Sequence, residues 1–135
     1  MTRVFISYRF SGEDKDKLKK TIMQVHNFIG KAGHEHYSTI FDTDQFTNEN
    51  WSGKKIMEKA FKEIDSSDVV LFFVRSPKIS QGMLIELGYS LANKKKIILA
   101  IKENIKDSVF RRQIEEVIEF KNMADLKNKL CGLEF

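Results

Sequence analysis

Short apolar runs of strand length alternate with longer stretches of helical periodicity along the whole chain, and nothing else in the sequence limits the fold as tightly. Val4, Phe5 and Ile6 form a continuous apolar run, and Val69–Val74 is a second and longer one. Unbroken runs without polar alternation suit parallel strands covered on both faces. Between them the period changes: Leu18, Ile22, Val25 and Ile29 recur at helical spacing, as do Ile56, Ala60, Phe61 and Ile64. Gly30 and Gly33 supply a stop for the first of these helices, and Ser52 a cap for the second. The pattern predicts strands over 3–7, 37–41, 69–74, 96–101 and 117–120. It predicts helices over 15–31, between Ser52 and Asp68, over 81–93 and over 124–131, with a short helical turn at 109–113. Residues 42–50 read as a polar loop, and Pro77 enforces a break after the third strand.

This alternation argues an α/β fold: a flavodoxin-like, doubly wound sheet of five parallel strands in the order 2-1-3-4-5, three layers deep, with residues 1–135 forming a single domain. In that topology ligands bind beyond the carboxyl ends of the strands, where the strand order reverses, here between the first and third strands. The loops 7–14 and 75–82 flank this point, and both contain Ser and Gly. Topology alone therefore places a cleft before any motif is considered.

Composition narrows the chemistry. The net charge is +4, but Lys15, Lys17, Lys19 and Lys20, Lys54 and Lys55, and Lys94, Lys95 and Lys96 sit beside acids or at helix ends, not in a stripe with interleaved aromatics. That pattern describes a solvated surface; it argues against a nucleic-acid partner and leaves a modest field to attract a phosphorylated small molecule. No apolar run reaches membrane-spanning length, so no membrane partner is expected. The single cysteine, Cys131, reads as a packing residue, and a lone thiol with no leader pattern ahead of the first strand leads us to expect a cytoplasmic protein. His26, His34 and His36 have no partner ligands at metal spacing and read as surface residues. No Walker A or GxGxxG pattern occurs, so neither a metal nor a cofactor is expected.

The segment 80–89 carries the most chemistry. Ser80 is a good N-cap, Gly82 permits close approach of a ligand to the backbone, and free N–H groups with the helix dipole make this end an anion site. Leu84, Leu87, Gly88 and Leu91 fall on one helical face, expected to pack on the sheet; Glu86 falls on the other side with Gly82, Met83, Tyr89 and Ser90. A carboxylate then lies about one turn inside the helix, roughly 6–9 Å along its axis, about the span from a 5′-phosphate to the anomeric carbon of a nucleotide. Such a group can attack that carbon or stabilise an oxocarbenium-like transition state. Arg9 and Arg75 flank the same cleft and are the best phosphate partners in the chain. Asp42 and Asp44 follow the second strand and can bind ribose hydroxyls or cap their own loop; Trp51 can stack on a base or staple a helix entrance.

The run Ser80-x-Gly82-x-x-x-Glu86-Leu87-Gly88 resembles the signature of the nucleoside 2-deoxyribosyltransferases, and within them is most similar to the 2′-deoxynucleoside 5′-phosphate N-hydrolases. The resemblance implies an N-glycosidase or deoxyribosyl transferase in which Glu86 is the nucleophile on C1′ and Ser80 helps hold a phosphate. It also assigns sugar and phosphate binding to the loop after the first strand, here Ser7, Tyr8, Arg9, Ser11 and Gly12, and it implies a homodimer that completes its pockets across subunits. With Phe5, Asp44, Arg75, Gly82 and Met83, these residues make up the expected substrate site. Two positions depart from the family: Phe5 stands where a tyrosine usually contacts the catalytic carboxylate, and Ala60 where an aspartate usually orients the substrate. The opening Val4-Phe5-Ile6-Ser7-Tyr8-Arg9, followed by Gly12-Glu13-Asp14, is also similar to that of TIR domains, which implies an alternative in which Glu86 cleaves NAD or the domain serves as a nucleotide-sensing or interaction module.

Overall fold

A computed structural model describes residues 2–78 and 80–135; Ile79, in the second of the two predicted cleft loops, lies outside them. Among the described residues β1 (Arg3–Ser7), β2 (Glu35–Tyr37), β3 (Val69–Val74), β4 (Lys96–Lys102) and β5 (Glu116–Phe120) form one parallel sheet in the order β2-β1-β3-β4-β5. The register sets Ile6 beside Leu71 and Leu71 beside Ile98. The three central strands are therefore the three most apolar segments, as burial on both faces requires.

Period-two alternation divides their side chains between two layers. Val4, Ile6, Leu71, Phe73, Ile98 and Ala100 pack against α1 (Lys15–Lys31) and α6 (Met123–Leu130) through Leu18, Ile22, Ile29, Leu126 and Leu130. Phe5, Val70, Phe72, Leu99 and Ile101 pack on the opposite side against α3 (Gly53–Asp65), α4 (Gln81–Ala92) and α5 (Val109–Gln113) through Ala60, Ile64, Met83, Leu87 and Phe110. Each of the buried Val, Leu, Ile, Met and Phe side chains contributes about 1.5–3 kcal/mol. Side-chain caps fix where the helices begin: Asp14 accepts from the Lys17 N–H, Ser52 from that of Lys55 and Ser80 from that of Met83.

Three expectations are corrected. The second strand runs over Glu35–Tyr37, not 37–41; Thr39–Asp42 is a 3₁₀ turn, and the loop expected at 42–50 contains a further helix, α2 (Thr43–Asn48). The spacing of the buried side chains explains this: Tyr37, Ile40 and Phe46 enter the core three and six residues apart, whereas Phe41 is 45% exposed, a pattern that a strand of period two cannot satisfy. On α4 the buried positions are Met83, Leu87 and Ser90, while Gly88 and Leu91 face outward. Glu86 thus borders the buried face and does not lie opposite it. Finally, His26 is fully buried, bonded through Nδ1 to His36 Nδ1 at 2.8 Å and through Nε2 to Ser38 Oγ at 2.7 Å. Burial pushes its imidazole down to about 3, so the ring is a neutral tie between α1 and the strand-to-turn junction.

Candidate active site

A cleft of about 440 Å³ opens at the carboxyl end of β1, at the switch point between β1 and β3. Its volume falls within the roughly 300–1,000 Å³ usual for small-molecule sites. Phe5, Ser7 and Tyr8 reach it from β1 and the residue after, Phe10 and Ser11 from the following loop, and Ser80, Gly82 and Glu86 from the start of α4. The opposite wall is built by Thr39, Thr43, Phe46 and Thr47 from the turn and α2, by Asn50 and Trp51, and by Ile56, Met57 and Ala60 from α3.

Glu86 is the one carboxylate among the described residues lining this cleft. The Ser7 hydroxyl donates to its Oε1 at 2.6 Å. Burial pushes the Glu86 carboxyl up to about 7, and the bond from Ser7 opposes that rise. Its backbone carbonyl accepts from Ser90 Oγ at 2.7 Å, which adds a tie within the helix that carries it. Tyr8 is buried and pairs with Thr39 Oγ1 at 3.2 Å; burial, with the nearby Glu86 charge, pushes its phenol up to about 12, so it acts as a neutral hydroxyl.

The structure thus gathers Phe5, Ser7, Tyr8, Ser11, Ser80, Gly82 and Glu86 into one cleft and places the other expected site residues elsewhere. Arg9 and Arg75 both donate to Glu13, at 2.8 and 3.4 Å, beside a separate small depression that Met83 also lines. Gly12, at φ 77°, packs against the Arg9 guanidinium, where a Cβ would come to 2.7 Å. Asp44 is exposed on α2 outside the lining, and Asp42 accepts a hydrogen bond from the Tyr37 hydroxyl. The α2 wall was the part that sequence reasoning missed. The signals for it were there: Thr43 and Thr47 at helical spacing, and the aromatic pair Phe46 and Trp51, whose rings meet at 4.8 Å.

The family model for nucleoside 2-deoxyribosyltransferase matches residues 7–125. This chain belongs to that family. No curated protein matches it closely enough to add to that assignment. Among solved structures it is similar to the CMP N-glycosidase BcmB of Clostridium botulinum, with 24% identity over 96% of this chain and 97% of that one and a TM-score of 0.64. It is similar also to a 2-deoxyribosyltransferase of Bacillus psychrosaccharolyticus, with 17% identity over 94% and 91% of the two chains and a TM-score of 0.65. Both likenesses are of fold and extend over nearly the whole length.

Seen as a nucleoside 2-deoxyribosyltransferase family member, the chain has an apolar cleft floor at the two departing positions, since Phe5 and Ala60 are each 1% exposed and line it. The hydroxyl that the family resemblance expects from residue 5 comes instead from Ser7. Residues 5 and 7 share one face of β1, two positions apart along the strand, so a serine there meets the helix carboxylate from the same side.

Proposed function

We propose that the protein cleaves the N-glycosidic bond of a nucleoside or nucleoside 5′-monophosphate, with Glu86 as the nucleophile. One observation carries this reading: Glu86 is the only carboxylate among the described residues lining the cleft, and it is held there by a single hydroxyl donor. A free oxygen of the carboxylate attacks C1′, the C1′–N bond breaks, and the electron pair leaves with the base. Water, or the nitrogen of a second base, then displaces Glu86 from C1′ and restores the carboxylate. The polar wall of Thr43, Thr47 and Asn50 and the ring of Trp51 suit a flat, hydrogen-bonding base. The start of α4 suits a 5′-phosphate, because Ser80 satisfies the Met83 N–H and leaves the first N–H groups of the helix for an anion. Activity on a 5′-monophosphate is in keeping with the description of the Clostridium botulinum neighbour as a CMP N-glycosidase.

We read the protein further as cytoplasmic and homodimeric. The surface aromatics are largely used within the chain: Phe46 packs on Trp51, and Phe61 stacks on Tyr89 at 4.1 Å. What supports association is the outer face of α4, where Ile85 is 50% and Leu91 41% exposed.

The test is incubation with a panel of nucleosides, their 5′-monophosphates and NAD, read out as free base. Release from nucleosides or monophosphates, lost by several orders of magnitude in a folded Glu86→Ala variant, is the expected result. Release of nicotinamide from NAD alone would move the chain to the TIR-like alternative, and near-normal activity in Glu86→Ala would overturn the mechanism.

A further inference from the structure

We propose that Ser7 is a positioning residue for Glu86: its hydroxyl fixes one oxygen of the carboxylate and leaves the other free to meet the sugar. This rests on the reading of Glu86 given above and extends it to a residue for which the family pattern supplies no such role, since the hydroxyl expected there belongs to position 5.

The geometry is specific. Ser7 is the last residue of β1, paired in register with Phe72 of β3 and 1% exposed, so the backbone that carries it is held by the sheet. A buried hydroxyl needs a partner, and its donor goes to Glu86 Oε1 at 2.6 Å, within the range of a charge-assisted O–H···O⁻ bond. Strand and helix are thereby tied across 79 positions of sequence at the point where the cleft opens. Among the described residues, no other side chain donates to this carboxylate. A site built on a strand and a helix holds its groups more closely than one built on loops.

Other titratable and charged groups nearby are engaged elsewhere. Tyr8 pairs with Thr39; Arg9 and Arg75 from the loops on either side both bind Glu13. From α3, Glu63 takes Arg3 and Lys59, and Asp65 accepts from Tyr89 of α4. The buried stretches of β3 and β4 facing α4 are apolar, Val70, Phe72, Leu99 and Ile101 among them. Burial raises the Glu86 carboxyl, and Ser7 is the side-chain group that opposes that rise. Because the hydroxyl donates, it stabilises the charged form, and removing it favours the protonated, non-nucleophilic form.

The test is a pH titration of the Glu86 carboxyl in the full chain by carbon-13 NMR of labelled glutamate, its signal identified by loss in Glu86→Gln. In Ser7→Ala the midpoint is expected to rise by about one to two pH units, the effect of losing one hydrogen bond to a charged group. The acid limb of the base-release profile should move up with it, and Ser7→Thr, which keeps a hydroxyl on a strand residue, should bring both back toward the unaltered chain. A Ser7→Ala midpoint that coincides with that of the unaltered chain overturns the role of Ser7 alone. Full base release by Glu86→Gln overturns the reading of Glu86, and the positioning role with it.

Discussion

Arg9 donates from Nη1 to Oε1 of Glu13 at 2.8 Å, and this pair ties up one of the two arginines best suited to a phosphate. Arg75 reaches the other oxygen of the same carboxylate at 3.4 Å, so one glutamate answers two guanidinium groups. Phosphate and carboxylate are interchangeable partners for arginine. Both lie beside a depression separate from the cleft, so a 5′-phosphate would have to draw them away from Glu13. The prediction is that Glu13→Gln lowers KM several-fold for a nucleoside 5′-monophosphate and leaves that for the matching nucleoside unchanged, with a smaller effect at high salt. Steady-state kinetics on the pair of substrates checks it; equal effects on both would mean that the arginines take no part in phosphate binding.

The same residues mark where the sequence could be read and where it could not. The sheet order and the two layers follow from apolar runs such as Val69–Val74 and from helical spacing in α1, because burial on both faces leaves an unmistakable pattern. Segment 37–50 was harder: Ile40 and Phe46 are the only buried apolar residues after Tyr37, too few to define a period, and tertiary contact with the core decides the local conformation. At the site, the spacing from Ser80 points to Glu86, and Ser7 is expected there as a sugar or phosphate ligand; its pairing with Glu86 is not legible, since nothing local says which strand hydroxyl faces a helix 79 positions away. Residue type alone reads the arginines as phosphate ligands, and the fold sets both outside the cleft, on Glu13. Their capture by Glu13 depends on how the loops fold, which residue type does not encode.

Glu86 should weaken the fold while serving its chemistry. Its midpoint of about 7 in the native chain lies above the ordinary glutamate value of 4.5, so the native state holds the proton more tightly than the unfolded chain does. Stability is then greatest below the ordinary value and is lost as pH rises through about 7, where the buried carboxyl ionises. Glutamine carries no such charge and can still accept from Ser7. Glu86→Gln is expected to be more stable than the unaltered chain by roughly 3 kcal/mol at pH 8 and equal to it near pH 4, several degrees in Tm at the higher pH. Thermal melts at the two pH values decide it; a difference independent of pH would mean that burial of the charge is not the cause.

Trp51 is the only tryptophan in the chain and lines the cleft, tilted on Phe46, with Lys55 Nζ 4.0 Å from its ring centre. Its emission therefore reports on whatever enters. Nucleotides are expected to quench it and ribose 5-phosphate to leave it unchanged, since only the base has a face to stack. Trp51→Ala should weaken base-bearing ligands by about 1–3 kcal/mol, roughly five- to 150-fold in Kd, with binding measured by calorimetry. Quenching of equal size by ribose 5-phosphate would place the sugar, not the base, against this wall.

The outer face of α4 bears on assembly. Gln81, Ile85, Gly88 and Ala92 recur at helical spacing on the exposed side, flanked by Leu91, and a Cβ at Gly88 would meet nothing within 4 Å. A largely apolar stripe with a glycine near its centre lets a second helix come close, and isologous pairing about a two-fold axis is the commonest way for such a stripe to be covered. This face carries no part of the cleft, so a charge placed on it tests assembly without touching Glu86 or Ser7. Ile85→Lys is expected to shift the protein from dimer to monomer in light scattering while its fold persists. If base release falls with the dimer, the partner completes the site, and a closed site favours transfer to a second base over loss to water. If the monomer works as well as the dimer, each cleft is complete and open to solvent, and hydrolysis is the expected outcome. A monomeric unaltered chain at the concentrations of the activity assay would rule out a shared site altogether.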